Sequence, residues 1–266
     1  MKKTVLVLSF VVLVSMGFAN FENESNNALV EKICEQGILS QKMVKDFMMM
    51  GIGFRIKETQ MELDESVADY EISHLFFEEK DENDRKSESI DAAENSWMKF
   101  RLIITDKVTP ENAYQLLKTN EALLNSNKRL LSLIGNLSEL NLSKGYMLSK
   151  EMEMLSQRIA MLYFAHSWGV QKDVTLRYFS DAVMKFEANL DALIADKENN
   201  IQIKSKLLSL KNQWVAGKKL FGNMGFNRYY PDDVFELTSG LSNNLSIIVL
   251  LFQQQQEELA DNDSLP

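Results

Sequence analysis

The stretch MLSQRIAM at 154–161 has a near copy, ILSQKMVK, at 38–45, with Lys42 standing where the later copy has Arg158. The correspondence runs on in order. Gly53 and Gly169, Val67 and Val183, and Glu71 and Glu187 keep a spacing of 116, and Trp97 and Trp214 are separated by 117. Further along, TPENAYQLL meets YPDDVFELT at a spacing of 121, with Pro110 on Pro231 and Tyr114 on Phe235, so the extra residues lie in FGNMGFNRYYPDD. Ordered matches at a nearly fixed period mark a tandem duplication of a unit of roughly 115 residues.

Each unit reads as helix. Leu39, Met43, Phe47 and Met50 recur at three- and four-residue steps, as do Leu155, Ile159, Tyr163 and His166, which places each set on one face of a helix. The chain has three prolines, Pro110, Pro231 and Pro266; the first two sit where a helix can begin, with Thr109 as a cap. The periodicity predicts helices over 27–57, 61–80, 87–106, 111–135, 143–168, 172–196, 199–221 and 232–257. The expected fold class is all-α: two tandem four-helix bundles of up-down antiparallel helices, over 20–140 and 141–257, with a polar tail at 258–266.

Lys2 and Lys3, an apolar run from Val5 to Val14 broken by Ser9, and the small residues of Gly17-Phe18-Ala19 form the pattern of a secretory leader over 1–19, cut after about Ala19. The competing reading, an uncleaved anchor, needs an apolar run of roughly 20 residues. The expected location is therefore the periplasm. Late in the chain, the apolar run Ile247–Phe252 is too short to span a bilayer. The 45% hydrophobic and 25% charged content is that of a globular chain, and a net charge of −9 speaks against nucleic acid as a partner. The single Cys34 cannot form an internal disulfide; it reads as a buried thiol, with pairing between molecules as the alternative.

The LSQ helices resemble the N-terminal sensory domain of type IV pilus methyl-accepting chemotaxis proteins (PilJ-type), itself related to the periplasmic domain of nitrate/nitrite sensor kinases (NarX-like). Members carry a motif close to G-x-x-R-M-L-S-Q-R near the start of a four-helix bundle. Met154, Leu155, Ser156, Gln157 and Arg158 match its last five places, and Ile38, Leu39, Ser40, Gln41 and Lys42 match more loosely. The resemblance implies an exported, non-catalytic sensory module. It also implies that the arginine before the M-L-S-Q stretch grips an anion, and here that position holds Glu153 in the second copy and Gly37 in the first. Losing an arginine hydrogen bond removes roughly 1.5–3 kcal/mol. A carboxylate about 5 Å from an anion adds about 3 kcal/mol of repulsion at an effective dielectric near 20. Nitrate recognition through that position is thereby excluded. If Glu153 lines a pocket, a cationic ligand suits it; if it faces water, the site is lost.

The candidate ligand-contacting residues are Arg158, Glu153, Gln157, Lys42 and Gln41. Arg158 and Lys42 lie one turn beyond the lost arginine and can attract an acidic group, or can form structural ion pairs. Ser40, Gln41, Ser156 and Gln157 suit hydrogen bonds between packed helices. Glu71-x-x-His74 has di-iron spacing, but the repeat partner of His74 is Leu190 and no second such motif exists, so no metal or other cofactor is expected. Met43, Met48, Met49 and Met50 read as core rather than as a soft-metal trap. Without a phosphate loop, a nucleophile elbow or a paired acid and base, no enzyme activity is expected. The charged 78–85 stretch reads as a solvated connection, and FGNMGFNRYY as either a contact surface or a plug at the bundle end. The expected function is a sensory or accessory module that binds a small molecule or a membrane sensor or chemoreceptor partner; the alternative is a scaffold of the cell envelope with no ligand.

Overall fold

The computed structural model describes the backbone of residues 3–78, 84–133 and 142–263 and the side chains of 26–75, 88–133 and 142–259. The side chains of 1–19, where a leader is expected, and most of the connection expected at 78–85 lie outside those described residues. The fold is all-α. In chain order the helices are α1 Lys3–Gly51, α2 Ile56–Glu78, α3 Asp84–Ile104, α4 Pro110–Leu133, α5 Lys144–Trp168, α6 Lys172–Ala195, α7 Ile201–Gly217 and α8 Pro231–Asp263. A 3-10 segment, Lys218–Phe226, follows α7, so the first part of the supposed 221–230 loop is helical. Helix α8 continues to Asp263, past the expected start of the tail, because QQQQEELA contains no residue that breaks a helix.

The repeat is visible in backbone geometry as well as in sequence. Helix α1 ends where Gly53 turns left-handed at φ +74°, and α5 where Gly169 does so at φ +89°. The Gly53 amide bonds the Met50 carbonyl at 2.9 Å and Phe54 bonds Met49 at 2.9 Å; Gly169 bonds His166 at 3.1 Å and Val170 bonds Ala165 at 2.9 Å. A left-handed residue at this place caps the last carbonyls of a helix, which is why glycine recurs there. Two residues on, Arg55 and Gln171 take φ of 46° and 45°. The buried Thr59 and Thr175 then send their hydroxyls back to the carbonyls of Phe54 and Val170, at 3.4 and 3.3 Å.

Packing repeats too. Helix α1 packs on α2 and α4 as α5 packs on α6 and α8, α3 lies on α4 as α7 lies on α8, and α1 and α5 pack on each other. The last two run parallel and in register. A Cβ added at Gly37 would lie 3.7 Å from the Met154 sulfur, and one added at Gly51 only 2.4 Å from the Trp168 ring. Gly51 therefore has to be glycine: its missing side chain is the space the indole fills. The stripes read from sequence meet in one large core. Met43, Phe47, Met48 and Met49 are buried with Leu155, Ile159 and Tyr163.

By length and composition α8 carries one stretch apolar enough to cross a membrane, Pro231–Leu259, with mean hydropathy 1.4. It extends well beyond the Ile247–Phe252 run because isolated Leu and Val residues between Ser and Asn raise the average. Val234, Leu241, Leu245 and Ile248 are fully buried along it, and α8 packs on α5 and α7, as the core helix of a bundle does.

Candidate functional site

The LSQ residues divide into structural roles. The Ser40 and Ser156 hydroxyls donate to carbonyls three residues earlier in their own helices, Gly37 at 2.9 Å and Glu153 at 2.7 Å. They do not bridge helices as expected, because a buried serine hydroxyl can satisfy itself on the preceding turn. Gln41 does bridge: its Nε2 donates to Asn120 Oδ1 of α4 at 3.1 Å, and its Oε1 accepts from Arg158 Nη1 of α5 at 3.3 Å. Arg158 Nη2 reaches Glu121 of α4 at 2.5 Å. The guanidinium is thus engaged on both arms and ties the second LSQ helix to the first half of the chain.

The mirror-related arrangement is incomplete. Lys42 forms no ion pair among the described residues, and the Gln157 Oε1 that corresponds to the acceptor in Gln41 is buried without a hydrogen-bond partner. Lysine carries a single compact charge in place of a forked one, and nothing at the Glu121 position of α8 offers a carboxylate, since Ser242 stands there. Glu153 is half-buried, accepts from the Ser246 hydroxyl of α8 at 2.6 Å, and lines a shallow cleft of about 400 Å³ with Lys32, Glu35, Asp69 and Lys150. Neither sequence alternative describes it fully: Glu153 is held by a packing partner at the edge of a charged surface. Of the five candidates, only Gln41 and Arg158 are brought together.

Most of the buried polar groups that lack a well-formed hydrogen bond lie elsewhere, in the first half. Gln36, Asp46, Tyr70 and Asn127 are all buried, and neither polar atom of Gln36 or Asn127, neither carboxylate oxygen of Asp46, nor the Tyr70 hydroxyl finds a hydrogen bond of good geometry. Burial pushes the Asp46 carboxyl up to about 6 against the pull of Lys45, whose ammonium lies 3.3 Å away and is itself nearly buried. Burial also raises the Tyr70 hydroxyl, which faces Asn127. The corresponding residues of the second half are Met152, Leu162, Phe186 and Ile248, every one buried. Lys45 and Asn120 are likewise matched by the buried Met161 and Leu241. These residues were absent from the sequence-derived candidates, yet aligning the halves exposes them: a polar residue on a buried stripe opposite an apolar one in its copy.

Beside Asn127 lies a cleft of about 570 Å³ between α1, α4 and the start of α5. Its walls are apolar, including Ile33, Leu124, Leu131 and Met154. Cys34 lines it with a thiol that burial pushes up to about 11, which keeps it protonated and unreactive at neutral pH. The α8 side of the equivalent space in the second half is filled. Ile248 and Phe252 take the places of Asn127 and Leu131, and the Phe252 ring sits so close to α5 that a Cβ on Gly145 would come within 2.1 Å of it.

In the second half the Tyr146 hydroxyl and Gln157 Oε1 also lack a well-formed hydrogen bond, whereas His166, Tyr229 and Glu187 are engaged. His166 shares a 2.8 Å hydrogen bond with the Tyr229 hydroxyl, and burial lowers its pKa. Phe221 and Met224 are buried and Tyr163 accepts from the Tyr230 amide, so the 221–230 segment does plug the bundle end, while Phe226 stays exposed. Glu71 is held by Arg101 as Glu187 is held by Lys218, the same pair in both copies, and the Lys218 contact lowers the Glu187 pKa. Glu71 is thus engaged in an ion pair, and among the described residues no cluster of three His, Cys, Asp or Glu is placed to hold a metal. The chain matches no family model, no curated protein and no solved structure.

Proposed function

We propose that the protein is an exported, non-catalytic binding module of sensory or accessory type, built from two copies of one four-helix unit whose LSQ helices pack side by side. The observation that carries this reading is the contrast between the two interiors. One copy keeps buried amides, a phenol and a carboxyl that destabilise a core, beside an open cleft; the other has apolar residues at each place. An unsatisfied buried polar group costs about 1–3 kcal/mol, so retaining several without use is unfavourable, and a bound small molecule would supply the missing partners. The resemblance to PilJ-type and NarX-like input domains supports a sensory role in the periplasm, signalling through a separate membrane sensor or chemoreceptor. Its anion-gripping arginine has no counterpart, and Arg158, about one turn further along α5, is occupied by Glu121 and Gln41.

A thermal-denaturation screen of the mature chain against amino acids, polyamines, nucleosides and organic acids tests the reading. A binding module gains stability with one class, rising as ligand concentration exceeds affinity by about 2.7 kcal/mol at a hundredfold excess. A scaffold, the reading favoured by the Arg158–Gln41–Asn120 network that ties the halves together, gains with none.

A further inference from the structure

We infer that the cleft between α1, α4 and α5 is a binding site for a small amphipathic organic anion, an apolar body bearing one carboxylate. This rests on the reading of the chain as a binding module and names its site and ligand class. The cleft volume of about 570 Å³ falls in the range of roughly 300–1,000 Å³ typical of small-molecule pockets. Its long walls offer only hydrocarbon and thioether surface, which sets the apolar body. Asn127, 3% exposed, is the amide residue on the lining; its carboxamide is buried beside the Tyr70 hydroxyl, and neither Oδ1 nor Nδ2 has a hydrogen bond of good geometry. It is the group that a ligand's polar end would satisfy, donating from Nδ2 to a carboxylate oxygen.

Charge at the rim fixes the sign. Lys128, Lys144 and Lys150 line the cleft, and none of them forms an ion pair among the described residues. The one acid on the rim, Glu151, is held by Lys185 and by Asn189 Nδ2 of α6, the latter at 2.8 Å. A cationic rim on a chain of net charge −9 selects anions locally and repels amines. The second half shows that the cleft is not forced by the fold. There Ile248 and Phe252 stand in the places of Asn127 and Leu131, Phe252 lies against Gly145, and the cleft of about 400 Å³ that remains between α1 and α5 is lined by Lys32, Glu35, Lys150 and Glu153 instead.

The test is calorimetric titration of the mature full-length chain with decanoate, with decanol as the same body without charge and acetate as the charge without the body. Decanoate is expected to bind, decanol at least tenfold more weakly and acetate not measurably. Asn127→Ile with Leu131→Phe copies the filled half, so it should fold with unchanged helicity and lose decanoate binding. Lys128→Gln with Lys144→Gln, both at exposed sites, should weaken decanoate by about tenfold and leave decanol unchanged. The site is overturned if decanoate fails to bind at millimolar concentration, if the filled variant binds it as well as the parent, or if decanol binds equally tightly. A different class of metabolite that stabilises the parent and the filled variant alike would overturn this site while leaving the binding-module reading standing. No gain from any class would remove both.

Discussion

The first and second halves share their helix joints, their Glu71–Arg101 and Glu187–Lys218 ion pairs and their helix pairings, and differ in what they bury. Tyr70 lies 3.9 Å from Trp97, ring centre to ring centre, and Phe186 lies 4.7 Å from Trp214; the aromatic pair is kept while the hydroxyl is present in one copy alone. The lesson is that the scaffold and the interior chemistry are separable. Joints and stripes satisfy the fold, and a copy that meets no other demand converges on Met, Leu, Phe and Ile.

The sharpest way to break that comparison is to reverse it. Leu162→Asp would place in the second half the carboxylate that Asp46 places in the first, without a neighbouring ammonium, because Met161 replaces Lys45. A loss on the order of 4 kcal/mol or more is expected in chemical denaturation. A cost below about 1 kcal/mol would show that the second interior is as tolerant of charge as the first.

Next in size is the opposite exchange. Lys45→Met with Asp46→Leu copies the second half and should stabilise by about 1–4 kcal/mol at neutral pH, since a buried ion pair with poor hydrogen bonding is readily outdone by packed hydrocarbon. The effect is pH-dependent in a definite direction. The folded Asp46 carboxyl titrates near 6 against 3.8 for the unreacted side chain, so ionisation opposes folding above that range. Acidification from pH 7 through about 6 towards 4 relieves the parent, and its deficit relative to the variant should shrink by on the order of 3 kcal/mol. Denaturation midpoints that keep a constant separation across that window would refute the assignment.

Smaller effects sharpen the match at the α1–α5 seam. Arg158→Lys removes a two-armed donor and should cost about 1–2 kcal/mol, whereas Lys42→Arg places a donor toward the unpartnered Gln157 Oε1 and should gain about 0.5–1 kcal/mol. In the same range, Thr59→Val and Thr175→Val should each lose about 1 kcal/mol, and the two losses should agree to within about 0.5 kcal/mol, because the hydroxyls make the same bond at equivalent joints. Unequal losses would mean that the joints are alike in outline only.

Much of the fold was legible because its signals are local. Apolar spacing along Leu155–His166 placed α5 to within a residue, while the Leu39–Met50 stripe fell on a helix that runs Lys3–Gly51 against the expected 27–57; prolines marked the starts of α4 and α8. Where the reading slipped, at the 3-10 segment after α7 and the extension of α8, weak local preferences were all that distinguished the alternatives. The site was legible in part. Gln41 and Arg158 were singled out, but as contacts for a ligand, and the residue that occupies Arg158 lies on another helix 37 positions away.

From its sequence alone, this chain is determined to be helical and to carry matching residues in the same order in its two halves, since a 3.6-residue period and an order of residues are properties of the string itself. Only tertiary structure decided that the two LSQ helices lie parallel against each other, that Phe252 closes one cleft while Leu131 leaves the other open, and that Arg158 is taken by Glu121. Those outcomes depend on distances between helices far apart in the chain, which side-chain volume and packing set and local spacing does not encode.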